Sequence, residues 1–126
     1  MVRAVSGGAR AFRFVGDLDP LDLTIYWGLR AYAARFEWHG VSDVWLRAAE
    51  RTNPAFTAHA SMPMSSFERE HWSALRRAFG EVEAAVGPAS VRLLDSGRKL
   101  ELDAFLGPLG RAIVEVGELS FGRGRS

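Results

Sequence analysis

The stretch SSFEREHWSALRRAF, residues 65–79, gives the clearest helix prediction in this chain. Ser65 can accept a hydrogen bond from the backbone N–H of Glu68, and the Glu68 carboxylate can reach back to Ser65, which is the capping-box arrangement. The apolar residues of the stretch recur at helical spacing and share one side of the helix; they are Phe67, Ala74, Leu75, Ala78 and Phe79. Because such a stripe must be buried, we expect this helix to lie on a sheet.

The sequence offers two positions for the end of this helix. Gly80 is a residue type that commonly ends helices. The apolar period nevertheless continues to Val86, which precedes a stronger Gly-Pro stop. We favour the longer form, a helix over residues 66–86.

The rest of the chain predicts short strands separated by turns. Alternating or β-branched and aromatic residues indicate strands on both sides of the helix. The predicted strands are residues 11–15, 22–27, 32–38, 43–50, 56–62, 91–95, 99–105 and 112–116. The Gly-bearing segment at residues 95–98 predicts a turn inside the C-terminal meander.

These elements predict an α+β fold. We expect a mostly antiparallel sheet of about six to eight short strands with one amphipathic helix packed on it. The length of 126 residues suits a single domain over residues 1–126. Residues 1–10 are expected to be a loose lead-in, and residues 121–126 a flexible tail.

Composition and charge point to an ordinary soluble domain. The chain is 48% hydrophobic and 25% charged, with a formal net charge of +1 and no cysteine. This balance gives no reason to expect nucleic acid as a partner, and disulfides are excluded. We find neither a signal peptide nor an apolar run of the roughly 20 residues that span a bilayer, so we expect a cytoplasmic protein without membrane contact.

The sequence predicts no metal site and no cofactor. The three histidines, His39, His59 and His71, have no local ligand spacing such as i, i+4. The acidic segment at residues 17–22 superficially resembles a calcium loop, but Pro20 interrupts the required alternation of ligands. A solvated turn is the favoured interpretation of that segment.

Four polar residues are candidates for lining a pocket between the helix and a curved sheet. Glu101 and Asp103 lie on the same face of a predicted strand, and His59 and His71 lie on the preceding strand and on the helix. Paired carboxylates serve acid–base chemistry when burial separates their pKa values. The competing interpretation, a polar outer face, is favoured, and no residue is assigned as catalytic.

Tryptophans are numerous for this length, and three of them are candidate interface residues. They are Trp27, Trp38 and Trp45. Large exposed aromatics commonly anchor protein interfaces. The alternative is a core that is filled from both sides of a curled sheet.

The predicted element order supports one resemblance. This element order consists of a hairpin around residues 38–42, a strand at 56–62, the capped helix and a meander that ends at residues 112–116. Over about residues 31–119 this order resembles small bacterial domains of unknown function and the immunity proteins of WapI-type polymorphic toxin systems. The resemblance implies a stand-alone cytoplasmic domain that acts by binding another protein, and it assigns no role to any residue.

Three functional hypotheses follow. The favoured one is a non-enzymatic protein-binding domain, with an immunity protein that neutralises a toxin as its specific form. The first alternative is a small ligand-binding protein or enzyme that uses the pocket described above. The second is a structural subunit that self-associates through a strand edge. The expected partner is therefore another protein, either a toxin or a second copy of the chain.

Overall fold

The computed structural model describes residues 2–3, 12–33 and 35–105, and over these ranges the chain is mainly helical. The α-helices are α1 (Pro20–Tyr32), α2 (Asp43–Thr52), α3 (Phe56–Ala60), α4 (Ser66–Ala78), α5 (Val82–Val86) and α6 (Pro88–Asp95). The strands are β1 (Val2–Arg3), β2 (Phe12–Phe14), β3 (Phe36–Trp38), β4 (Met62–Pro63) and β5 (Arg98–Lys99). A short 3-10 helix follows at Leu102–Phe105.

The predicted antiparallel sheet is wrong. The described residues instead form a three-stranded sheet of order β1-β2-β3 and a separate β4-β5 pair. The predicted strands at 22–27, 43–50 and 91–95 lie in α1, α2 and α6, and the strand at 56–62 is mostly α3. The predicted strand at 99–105 keeps only Lys99, in β5, and Leu100, which bridges antiparallel to Leu18, before the 3-10 helix. The strand at 112–116 and the tail at 121–126 lie outside the described residues.

Helix α1 shows why the strand prediction failed. Asp19 caps the helix by accepting the backbone N–H of Asp22 at 2.8 Å, and Pro20 occupies the first turn. Leu23, Tyr26 and Trp27 are buried on one side of the resulting helix. The lower helix propensity of β-branched and aromatic residues costs only a few tenths of a kcal/mol per residue, which burial of this side outweighs.

The predicted capping box of α4 is confirmed, but the predicted length is wrong. Ser65 Oγ accepts the backbone N–H of Glu68 at 3.1 Å, and Glu68 Oε1 accepts that of Ser65 at 2.8 Å. The helix ends at Ala78, and the apolar period that followed Gly80 belongs to the separate helix α5. Phe67, which the pattern placed on the buried stripe, is 60% exposed.

The three-stranded sheet is built around a β-α-β unit. Strand β2 pairs with β3 in parallel, with Phe12 opposite Phe36, and α1 connects the two strands. Strand β1 pairs antiparallel with β2, so residues 2–3 of the expected loose lead-in are part of the sheet. The predicted strand at 11–15 is confirmed at its centre, as β2, whereas only the C-terminal end of the predicted strand at 32–38 is a strand, β3, and Tyr32 belongs to α1. The predicted turn at 95–98 is also confirmed, with Gly97 at a φ of 83°.

An aromatic cluster joins α1 to this sheet. The Tyr26 ring lies 5.8 Å from Phe14, 5.4 Å from Trp38 and 4.8 Å from Trp27, in edge-to-face contacts. The Tyr26 hydroxyl donates to the carbonyl of Phe36 at 3.3 Å. Edge-to-face pairs add to the free energy gained from burial alone, so this cluster fixes the position of α1.

A buried carboxylate joins α2 to α6. Asp43, in the first turn of α2, accepts the backbone N–H of Ser90 at 2.7 Å, the Ser90 hydroxyl at 2.8 Å and the backbone N–H of Ala89 at 3.1 Å. Gly87 precedes α6 with a φ of 101°, and a Cβ at this position would overlap the Asp43 carboxylate. Glycine is therefore required here both by conformation and by space.

Replacing Asp43 by asparagine tests this connection. The Asp43→Asn side chain presents an N–H group where the carboxylate accepted hydrogen bonds, which leaves at least one buried donor of α6 unpaired. We expect the free energy of unfolding, measured by urea denaturation, to fall by about 1–3 kcal/mol. The Ser90→Ala variant loses only the hydroxyl contact and should lose less. Equal stability of D43N and the wild type would contradict the role assigned to Asp43.

Candidate functional site

The three candidate interface tryptophans do not form one exposed surface. Trp27 is 3% exposed, and its indole Nε1 donates to Glu81 at 3.4 Å. Trp38 is half-buried and donates to the carbonyl of Val41 at 3.0 Å. Trp45 is half-buried, with its ring 5.2 Å from that of Phe105. The tryptophans thus contribute mainly to packing: Trp27 and Trp38 lie on either side of Tyr26, and Trp45 lies beside Phe105.

The four candidate pocket residues are distributed over separate elements. His59 is exposed on α3, and His71 lies on α4 with its ring 4.5 Å from that of Phe67. Glu101 follows β5, and Asp103 is exposed on the 3-10 helix. Among the described residues, no hydrogen bond or ion pair joins any two of these four side chains.

Three carboxylates gather where the chain enters α1. Oxygens of Asp17, Asp19 and Asp22 lie within 4.8 Å of one another. Asp17 Oδ1 accepts the backbone N–H of Leu102 at 2.6 Å, and Asp22 Oδ2 accepts that of Asp17 at 2.7 Å. Asp19 accepts the N–H of Asp22 as the helix cap, so each of the three carboxylates accepts a backbone hydrogen bond. The bond from Leu102 to Asp17 joins the start of α1 to the 3-10 helix. This is a hydrogen-bonded junction, whereas the sequence predicted a solvated turn.

The environment of this junction raises two pKa values. Burial is the main reason that the pKa of Asp19 rises to about 6, and the nearby carboxylates of Asp22 and Asp17 add to the effect. Burial likewise raises the pKa of Asp17, although the hydrogen bond from Leu102 opposes it. Ionising these groups is therefore less favourable in the folded chain than in the unfolded one.

A second charged contact links α4 to β5. Lys99 Nζ donates to Glu68 Oε2 at 2.7 Å, and both side chains are largely buried. This bond is the main cause of a lowered pKa of Glu68 and a raised pKa of Lys99. Since Glu68 also completes the capping box, this contact fixes the start of α4 beside the β4-β5 pair.

Among the described residues, three of the six exposed large apolar side chains lie in one line on the outer side of α1. Leu21, Ile25 and Tyr32 are 37%, 52% and 93% exposed. With Gly28 between them, these positions follow a 4-3-4 spacing and form one stripe along the helix. A Cβ at Gly28 would meet no described atom within 4 Å, so the middle of the stripe is open. We refer to these four residues as the outer stripe.

Sequence reasoning missed the outer stripe because residues 22–27 were predicted to be a strand. In a strand, Leu21 and Ile25 share a face with Leu23 and Trp27, so no separate exposed surface appears. The start signal was present: Asp19 followed by Pro20 is a favoured N-cap and first helical residue. From that start, the 4-3-4 spacing predicts the stripe.

Comparisons of the chain with protein-family models, with curated proteins and with solved structures found no match. Across the part of the chain that the structure describes, none of the helices has both the length and the apolar character needed to cross a membrane.

The raised pKa of Asp19 predicts that the stability of the fold depends on pH. A carboxyl group whose pKa is higher in the folded than in the unfolded chain stabilises the fold fully at pH values below its unfolded pKa, here 3.8. That contribution is lost as the pH rises through the folded pKa of about 6. In the Asp19→Asn variant, the asparagine side chain still caps the helix but has no group that titrates. We expect the stability of the wild type relative to D19N to fall by about 1–2 kcal/mol across this pH window, a figure that allows for partial solvation.

Urea denaturation of both proteins from pH 3.5 to pH 7.5 measures this difference. A constant difference, or one that grows in favour of the wild type as the pH rises, would contradict the buried position of the Asp19 carboxylate.

Proposed function

We propose that this chain is a protein-binding domain and that the outer stripe of α1 is its binding surface. The observation that carries the proposal is the exposure of Tyr32, at 93%, and of Ile25, at 52%, on one line along a well-packed helix. Scattered exposed apolar residues are ordinary on protein surfaces. A continuous stripe that includes a large aromatic residue is typical of an interaction surface.

The two sides of α1 support this proposal. A helix whose apolar residues cover both sides is usually buried on both sides. Here Leu23, Tyr26 and Trp27 fill the core, whereas the opposite side carries the outer stripe. Thr24 and Ala31, which flank the stripe on one side, are uncharged. A partner protein that covers this side completes the burial that the composition of the helix indicates.

The support for the immunity function is the sequence resemblance. Because the element order on which that resemblance rests differs from the observed one, the protein-binding proposal stands on the outer stripe instead. Toxin neutralisation is one specific form of it. The alternative with a pocket against a curved sheet loses its architectural basis, since the described residues form only small sheets.

A charged residue in the outer stripe should remove binding without affecting the fold. Ile25→Lys places an ammonium group in the apolar surface, and lysine is a good helix former. We expect I25K to weaken binding of a captured partner at least about tenfold, as for a central interface residue. Val44→Lys is the matched control, because Val44 is 40% exposed on α2, away from the stripe.

The measurement has two steps. Tagged wild-type protein captures partners from a lysate of the source organism, and a protein that it retains but that a tag-only control does not retain is purified. Calorimetry with the purified protein then gives the affinity for each variant. Equal affinity for I25K and the wild type, with circular dichroism showing intact helices, would contradict the proposal.

A further inference from the structure

The outer stripe is self-complementary about a two-fold axis. Leu21 and Tyr32 lie at equal distances from the point between Tyr26 and Trp27, and Ile25 and Gly28 share the same midpoint. If two copies of α1 pack antiparallel about that point, Leu21 of each copy faces Tyr32 of the other. Ile25 of each copy then faces Gly28 of the other. Two-fold axes of this kind generate most protein dimers.

The pairing also matches large side chains with small ones. Each Ile25 fits the open position at Gly28 of the other copy, where a Cβ would meet no described atom within 4 Å. Small residues at a helix contact allow the axes to approach toward the lower end of the usual 8–10 Å. Parallel packing in register would instead place Ile25 on Ile25 and Gly28 on Gly28, leaving a gap at the centre.

The helix dipoles favour the antiparallel arrangement as well. Antiparallel packing places the positive N-terminal end of each α1 beside the negative C-terminal end of the other. The basic side chains at the end of α1 do not add to this effect. Arg30 lies about half a turn away from the stripe and donates to the Tyr26 hydroxyl at 3.4 Å, and Arg35 lies over the Phe12 ring.

We infer that the partner of the outer stripe is a second copy of this chain, packed antiparallel through α1. This inference rests on the proposed function and specifies the partner. The 13 residues of α1 give a contact about 20 Å long, which supplies about half of the roughly 800 Å² per partner of a standard interface. The dimer is therefore expected to be weak and concentration-dependent.

Disulfide trapping tests the pairing, because the chain contains no cysteine of its own. Leu21→Cys and Tyr32→Cys chains with tags of different size are mixed in a glutathione redox buffer. Antiparallel packing places these positions opposite each other, whereas like positions lie about 16 Å apart along the helices. We expect L21C–Y32C dimers to exceed L21C–L21C and Y32C–Y32C dimers about tenfold, from the raised effective concentration.

Two controls separate specific pairing from general stickiness. Replacing Y32C by Val44→Cys, an exposed position on α2, should reduce unlike dimers to the level of random collision. Adding Gly28→Leu to both trapping chains enlarges the apolar surface but fills the space for Ile25, so we expect trapping to fall about tenfold. An increase with G28L would show non-specific association and overturn the inference.

The outcomes distinguish the two proposals. Preferential L21C–Y32C trapping supports the antiparallel dimer. Preferential like-chain dimers, or no trapping together with a monomer in sedimentation equilibrium at about 1 mM, overturn it. Those results do not decide the wider protein-binding proposal. The I25K comparison with a purified partner tests that proposal, and it does not depend on self-association.

Discussion

The packing of Tyr26 against its aromatic neighbours is the interaction on which the rest of the structure depends. Its ring contacts Phe14 of β2 and Trp38 of β3, and its hydroxyl reaches the backbone of Phe36. These contacts hold α1 across two parallel strands. Trp27, beside it, extends the same packing to Phe79 at the end of α4, with ring centroids 5.6 Å apart. The orientation of α1 is thereby fixed.

Fixing one side of α1 determines what the other side presents. With Tyr26 and Trp27 in the core, helical geometry places Ile25 and Tyr32 in solvent as part of the outer stripe. The stripe lies on a regular helix rather than a loop, so it is already ordered before a partner arrives. A preorganised surface loses less conformational entropy on binding, which allows a small contact to be functional.

The sequence predicted local features more reliably than the architecture. The Ser65 capping box and the Gly97 turn follow from hydrogen bonds and φ angles within a few residues, and both are present. Helix α1 was missed because β-branched and aromatic residues were weighed above the start signal at Pro20. The partner of Asp43 is 47 residues away, and such contacts between distant segments leave no periodic pattern in the chain. The outer stripe became visible only once α1 was identified as a helix.

Nuclear Overhauser contacts between the Leu21 methyl groups and the Tyr32 ring test the central claim most directly. Within one chain these residues lie about 16 Å apart along α1, too far for a contact. The antiparallel arrangement of two copies places them side by side. We expect a Leu21–Tyr32 contact whose intensity rises with protein concentration. Its absence in a concentrated sample, or contacts from Ile25 to Ile25 between copies, would contradict the account.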